Sequence, residues 1–195
     1  MTDYVPRPSG TGLTAAPTLT TERTILRSLT LADFNDFHAM WAEPYVVKYI
    51  LGTPSTKQES WMRLLGQVGH WALLGFGYWA VTNRQTGAFI GAVGLGNMLR
   101  PVDPPFGDTP EAGWTMIEAA KGKGLALEAV GSALAWADRS LTAPKTVCMI
   151  SPENTASLRL AETLDYGQPQ TLRYKSEDVV LLTRDRRSPG AVGKD

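Results

Sequence analysis

Glu111-Ala-Gly-Trp-Thr-Met-Ile-Glu-Ala-Ala-Lys-Gly-Lys-Gly-Leu-Ala-Leu-Glu-Ala129 decides the fold. Its first part, Glu111–Ile117, reads as a strand. Lys121-Gly122-Lys123-Gly124-Leu125-Ala126 follows and opens a long helix. The helix carries a small apolar stripe, Ala126, Val130, Ala133 and Ala137, suited to lying close on a sheet. N–H groups at a helix start lack intrahelical acceptors and carry partial positive charge, so they bind phosphate. Glycines, having no Cβ, let a pyrophosphate approach the backbone, and Lys121 and Lys123 add charge nearby. The spacing is neither that of a Walker loop nor that of a dinucleotide fingerprint. Taken alone, the G-x-G also suits a plain glycine turn.

Outward from this unit the pattern alternates. On the N-terminal side, Thr24–Leu29 has strand character, and Thr30-Leu-Ala-Asp33 resembles a capping box ahead of Phe34, Phe37 and Trp41 at helical spacing. A second box, Thr56-Lys-Gln-Glu59, opens a helix through Trp61, Leu64, Leu65 and Val68. Phe76–Thr82 and Ala88–Leu95 read as a hairpin across Asn83–Gly87. On the C-terminal side come a strand at Thr146–Ile150, a helix at Thr155–Leu164 and a strand pair, Gln170–Tyr174 with Val179–Thr183. The expected order is β-α-α-β-β-β-α-β-α-β-β, an α/β (α+β) domain with helices packed on a mixed sheet.

Composition narrows the function classes. A chain of 195 residues, 43% hydrophobic and 19% charged, fits one domain with a sizeable core. Lys+Arg and Asp+Glu both total 19, which argues against a general nucleic-acid binder. With one cysteine, Cys148, the chain can form no internal disulfide and no cysteine cluster for a metal; this fits a cytoplasmic protein. No signal-peptide run opens the chain, and no apolar stretch approaches the roughly 18 residues of a membrane span. The expected organisation is a loosely draped N-terminal arm at 1–20, a domain at 21–186 and a tail at 187–195. Leu172, Val180 and Leu182 suggest a C-terminal sheet edge open to a second subunit, leaving monomer and homodimer both open.

The segment 111–129 resembles the acetyl-CoA motif of the GNAT superfamily of N-acetyltransferases: a Glu-x-Gly-aromatic strand, then Gln/Arg-x-x-Gly-x-Gly/Ala, then a helix with Glu-Ala. Asn154-Thr-Ala-Ser157-Leu-Arg-Leu-Ala-Glu162-Thr-Leu-Asp-Tyr166 is similar to the family's later Asn-x-x-Ser-x-Arg block ending in Leu-Gly-Phe. Together the two resemble the Rim-type branch of ribosomal-protein N-terminal acetyltransferases. The resemblance implies a mostly antiparallel mixed sheet with a splayed central pair, strands 111–117 and 146–150, and pantetheine in the gap. It implies that backbone groups of Trp114, Thr115 and Met116 meet pantetheine and the acetyl carbonyl. Lys121, Gly122, Lys123, Gly124, Leu125 and Ala126 would cradle the pyrophosphate, and Asn154 would bond the cofactor arm. The implied co-substrates are acetyl-CoA and a primary amine, a protein N-terminus or a small molecule, with direct transfer and no metal.

Three departures stand out. Lys121 takes the usual Gln/Arg place and offers a point charge instead of a planar fork. Many members place a tyrosine acid seven residues after the Asn, where this chain has Ala161; Ser157 is then the expected acid, as in the Rim-type branch. Asp165 replaces the Gly of Leu-Gly-Phe. Ser157 also suits a helix-surface hydroxyl bonded to its own backbone. Glu111 is the expected base, through water, although a carboxylate there also suits a structural ion pair. The missing tyrosine and Lys121 support an alternative, a catalytically silent acyl-CoA-binding or ribosome-associated module. Glu128, His38, His70 and Cys148 read as structural, Tyr166 as packing, and Tyr45 and Tyr49 as candidates to line the acceptor cleft.

Overall fold

The computed structural model describes residues 11–103, 105–175 and 177–187. Its sheet has eight strands: β1 Leu19–Thr20, β2 Thr24–Arg27, β3 Tyr78–Asn83, β4 Phe89–Gly96, β5 Glu111–Met116, β6 Lys145–Ile150, β7 Gly167–Tyr174 and β8 Glu177–Asp185. They lie in the order β1-β2-β3-β4-β5-β6-β8-β7. Every pairing is antiparallel except β5 with β6. Five α-helices accompany them: α1 Phe34–Ala42, α2 Pro44–Val47, α3 Lys57–Leu74, α4 Leu125–Ser140 and α5 Thr155–Thr163. The mixed, mostly antiparallel sheet agrees with the sequence reading.

Alternation along the strands explains the layers. On β3, Trp79 and Val81 face the core shared with α4 and α5, and Ala80 faces the core under α1. Trp71, Trp79 and Trp136 meet edge to face, with ring centroids 4.7, 5.3 and 5.2 Å apart, a favoured aromatic geometry. Both capping boxes form. Glu59 N–H donates to Thr56 Oγ1 and Thr56 N–H to Glu59 Oε2. Asp33 accepts from Thr30 and takes a two-pronged bond from Arg27. Asp33 belongs to a short 3-10 turn, Leu31–Asp33, ahead of α1.

Several expectations need correction. The segment 11–20 is not loosely draped. The Trp79 indole N–H donates to Pro17 O (2.8 Å), Thr11 Oγ1 to Gly75 O (2.8 Å), and β1 pairs with β2. The physical reason is that a buried indole N–H requires an acceptor, and this segment brings one. Residues 1–10 of the expected arm and 188–195 of the expected tail lie outside the described residues. α3 runs on from Val68 to Leu74 and stops at Gly75, whose φ of +75° ends a helix at little cost to glycine. The short helix α2 and a 3-10 turn at Glu118–Ala120 were not anticipated. Leu172 and Leu182 are buried within the chain and Val180 packs on the main core, so they offer no apolar edge to a second subunit.

Candidate active site

β5 and β6 are bridged at Glu111 and Val147 and diverge beyond. β5 keeps its whole ladder to β4. Ile117 N–H donates to Ile90 O (3.1 Å), and bonded pairs alternate along an antiparallel ladder. Gly113 and Thr115 therefore spend their backbone groups on β4, while those of Trp114 and Met116 turn to the open gap. The expectation is thus corrected for Thr115: its backbone belongs to the sheet, and its side chain is buried.

The loop at the far end of β5 is built around two left-handed glycines, Gly122 (φ +72°) and Gly124 (φ +71°). A Cβ on Gly122 would meet nothing within 4 Å, and one on Gly124 would meet only Arg23 Nη2, at 3.3 Å. This is open space beside backbone, the shape of a phosphate cradle. Gly124 caps α4, and the first bond into the helix is Glu128 N–H to Gly124 O (3.2 Å). Helix geometry therefore leaves the N–H groups of Leu125, Ala126 and Leu127 for an outside acceptor. Lys121 and Lys123 are exposed, and Lys121 Nζ lies 4.7 Å from the Tyr45 ring centroid, which puts Tyr45 beside the cradle.

Sequence reasoning missed what holds this loop. Arg23 donates through Nη1 to Lys123 O (2.8 Å) and through Nε to Glu128 Oε2 (2.7 Å). Glu128 also accepts from Thr21 Oγ1 and from the N–H groups of Arg23 and Thr24. Burial pushes the Glu128 carboxyl up, but these bonds outweigh it and hold it below the usual carboxylate range. The Thr21–Thr24 turn and the cradle are thus fastened to each other through one carboxylate. The only sequence signal was a Glu in the first turn of a helix.

Across the gap, Asn154 caps α5: its Oδ1 accepts from Ser157 N–H at 3.1 Å, and its side-chain NH2 is a donor. Ser157 Oγ accepts from Trp114 Nε1 at 3.1 Å. The indole of β5 thereby reaches over to α5 and fixes the hydroxyl oxygen, whose own O–H remains a donor. Ala161 is fully buried in the main core, so the position of the family tyrosine does not open to the gap here.

At the bridged end of β5, Glu111 is buried and takes a two-pronged bond from Arg100, 2.5 Å from Nε and 2.7 Å from Nη2. Arg100 also lies 5.0 Å from the Tyr174 ring centroid. Burial pushes the guanidinium down, but the two bonds to Glu111 outweigh it and raise it, so Arg100 stays charged. The Tyr78 ring lies over Gly94 and Gly113 on the neighbouring strands, where any Cβ would collide with it. Burial, and then the charge of Glu111, push its phenol above the usual value, so Tyr78 is a neutral hydroxyl. Arg100 and Tyr78 were both absent from the sequence-derived site.

Residues 23–166 match the family described as Acetyltransferase (GNAT) domain. The chain belongs to the GNAT acetyltransferase family. The uncharacterized N-acetyltransferase p20 of Bacillus licheniformis is 30% identical over 157 residues, covering 80% of this chain and 85% of that protein. The crystal structure of an acetyltransferase from Agrobacterium tumefaciens is 30% identical with a TM-score of 0.75, over 87% of this chain and 95% of that one. RimL, a ribosomal-protein acetyltransferase in complex with coenzyme A, shares the fold at 12% identity and a TM-score of 0.71, over 87% of this chain and 98% of that one. The GNAT fold and the open glycine cradle fit coenzyme A, and the family makes this chain an acetyl-CoA-dependent acetyltransferase.

The remaining candidates are structural. His38 Nδ1 lies 3.0 Å from Ser60 Oγ, and the His70 ring nitrogens face Gly66 O and Asn97 O at 2.7 and 3.2 Å. Among the described residues no group of three or more His, Cys, Asp or Glu could hold a metal ion, and no helix is long and apolar enough to cross a membrane. Cys148 is buried in β6; burial, and then the charge of Glu111, push its thiol far up. Tyr166 is buried and its hydroxyl pairs with Thr146 Oγ1 at 2.8 Å, which is packing. One cavity lies between α4 and α5 at Leu134 and Thr163, and another beside α1 at Met40 and Phe89, lined also by Ile117 and Ala119 just past β5.

Proposed function

We propose that this GNAT chain transfers an acetyl group directly to a primary amine, of a protein N-terminus or of a small molecule, with Ser157 as the acid. The observation that carries this is the Trp114–Ser157 bond, which ties β5 to α5 and fixes the Ser157 oxygen beside the gap. Bound acetyl-CoA would supply the activated thioester. The Trp114 and Met116 N–H groups turned to the gap are donors toward negative charge developing on an acyl oxygen. Ser157, fixed through its oxygen, holds its proton toward the leaving sulfur. Glu111, at the bridged end of the gap, receives the amine's proton through water. Each of its oxygens keeps a lone pair beyond the Arg100 bonds. Asn154 bonds the cofactor arm, and the six residues Lys121–Ala126 with the loop-holding Arg23 bind the nucleotide end.

Amine-dependent release of free thiol from acetyl-CoA, followed across peptides, amino acids, polyamines and aminoglycosides, tests this reading. Ser157→Ala should lower kcat about 100-fold, the lower end for an acid–base group, while leaving acetyl-CoA affinity near that of the wild type. The deficit should shrink for a thioester whose thiol is more acidic and needs less protonation. Equal turnover of Ser157→Ala with either donor removes Ser157 from the chemistry. A wild-type chain that releases no thiol with any amine removes the amine reading.

A further inference from the structure

α3 carries apolar side chains on two faces. Leu64 and Trp71 are buried, along with Ser60 and Gln67. Trp61, Met62, Leu65, Val68 and Leu73 turn to solvent at 37%, 61%, 42%, 41% and 76% exposure. At 3.6 residues per turn these five line up as one stripe, with Gly69 and Ala72 between them. A helix that is apolar nearly all round is buried on both sides. At about 200 Å² per large apolar side chain, the five leave roughly 500 Å² in water, the upper range for the largest patch on a monomer.

The occupant is indicated by charge and by size. From Leu64 to Gly75 the chain has no Asp, Glu, Lys or Arg, and Arg63 is stacked on Trp41 at 4.0 Å. Past Arg63 a charged partner finds nothing to pair with, whereas a second stripe of the same kind meets no like charge there. The net charge of zero adds no repulsion between copies. Gly66 and Gly69 are poor helix formers, and a Cβ on either would meet nothing within 4 Å, so nothing inside the chain demands them. Reversing the helix about Gln67 sets Trp61 against Leu73, Met62 against Ala72, Leu65 against Gly69 and Val68 against Gly66. In three of these four pairings a large side chain faces an Ala or Gly. Contact between two roughly 500 Å² stripes buries about 1,000 Å², the threshold of a specific interface. Trp61 is already held edge-on by Phe34, centroids 5.4 Å apart, so little ordering is left for association.

We propose that α3 packs antiparallel against α3 of a second copy of this chain, about a two-fold axis at the level of Gln67. Isologous contact of this kind requires such a self-complementary pattern. Sedimentation velocity on the full chain tests it. The wild type should sediment as a dimer at tens of micromolar. Leu65→Glu and Met62→Glu, both at exposed positions, should each raise the dimer Kd at least about tenfold, with circular dichroism unchanged. Leu31→Glu, an exposed site on the 3-10 turn, should leave it alone. Gly69→Trp separates this register from unspecific stickiness: it should abolish the dimer by colliding with the opposing Leu65, whereas unspecific association would strengthen. A wild-type chain that stays monomeric overturns the proposal, whether the stripe is taken by lipid vesicles or by the ten residues ahead of Thr11. So does a dimer indifferent to all three α3 substitutions.

Discussion

The two ends of β5 are made of different material. At the glycine-loop end, the groups left for an outside acceptor are backbone N–H groups of α4 beside two left-handed glycines, and side chains serve mainly to fasten the loop. The bridged end is made of side chains: Glu111 and Arg100 in a buried pair, Tyr78 lying over two glycines, and Tyr174 against Arg100. A backbone cradle would offer every acyl-CoA the same phosphate contacts. The two ends should therefore fail separately.

The sharpest break is at Arg100. Arg100→Met leaves the Glu111 carboxylate buried without a counter-ion, and losing one partner of a buried pair costs roughly 3–5 kcal/mol. Urea unfolding should show this loss, while coenzyme A affinity of the folded protein stays near wild type. Adding Glu111→Gln should recover much of the stability. If Arg100→Met weakens coenzyme A as much as it weakens the fold, the two ends are one unit.

Gly124→Asp breaks the other end. It places a carboxylate at the helix start, where it repels phosphate. The left-handed backbone tolerates Asp better than most residues, and Arg23 is close enough to pair with it. Calorimetry should show coenzyme A affinity reduced at least about 100-fold, or about 2.7 kcal/mol, with circular dichroism unchanged. Wild-type affinity would dismiss the cradle. A smaller effect is expected at Lys121, an exposed charge resting on Tyr45. Lys121→Ala should weaken coenzyme A a few-fold at low salt and less at high salt, because screening removes an exposed Coulomb attraction. A loss that is the same at all ionic strengths would make Lys121 a packing residue.

The same division explains what the sequence disclosed. The strand–loop–helix unit was legible because strand, glycines and helix start are contiguous between Glu111 and Ala129. The Thr56–Glu59 box was legible because both partners lie within one turn. Asn154 and Ser157 were legible as a pair on one helix face, but the Trp114 indole that fixes Ser157 was not, since 43 residues separate them. Arg23 reaches Glu128 across 105 residues, and Tyr78 reaches Gly113 only because β4 lies between their strands. Arg100 sits in a Pro/Gly-rich loop with no periodicity to place it. Thr115 was misassigned because hydrogen-bond parity depends on the register with β4, which no local pattern reveals. Asp165, in the usual Gly place, adopts φ +64°, so the turn after α5 survives the substitution with backbone strain that glycine would relieve.

Cys148 lies in β6 with 1% of its surface exposed and its ionisation suppressed. It is also the only thiol in the chain. A chromogenic disulfide reagent added to a reaction would therefore find no competing sulfur on the folded enzyme and would count coenzyme A alone. The same reagent would register unfolding as one equivalent of new thiol per chain, so a single cuvette can follow catalysis and integrity together.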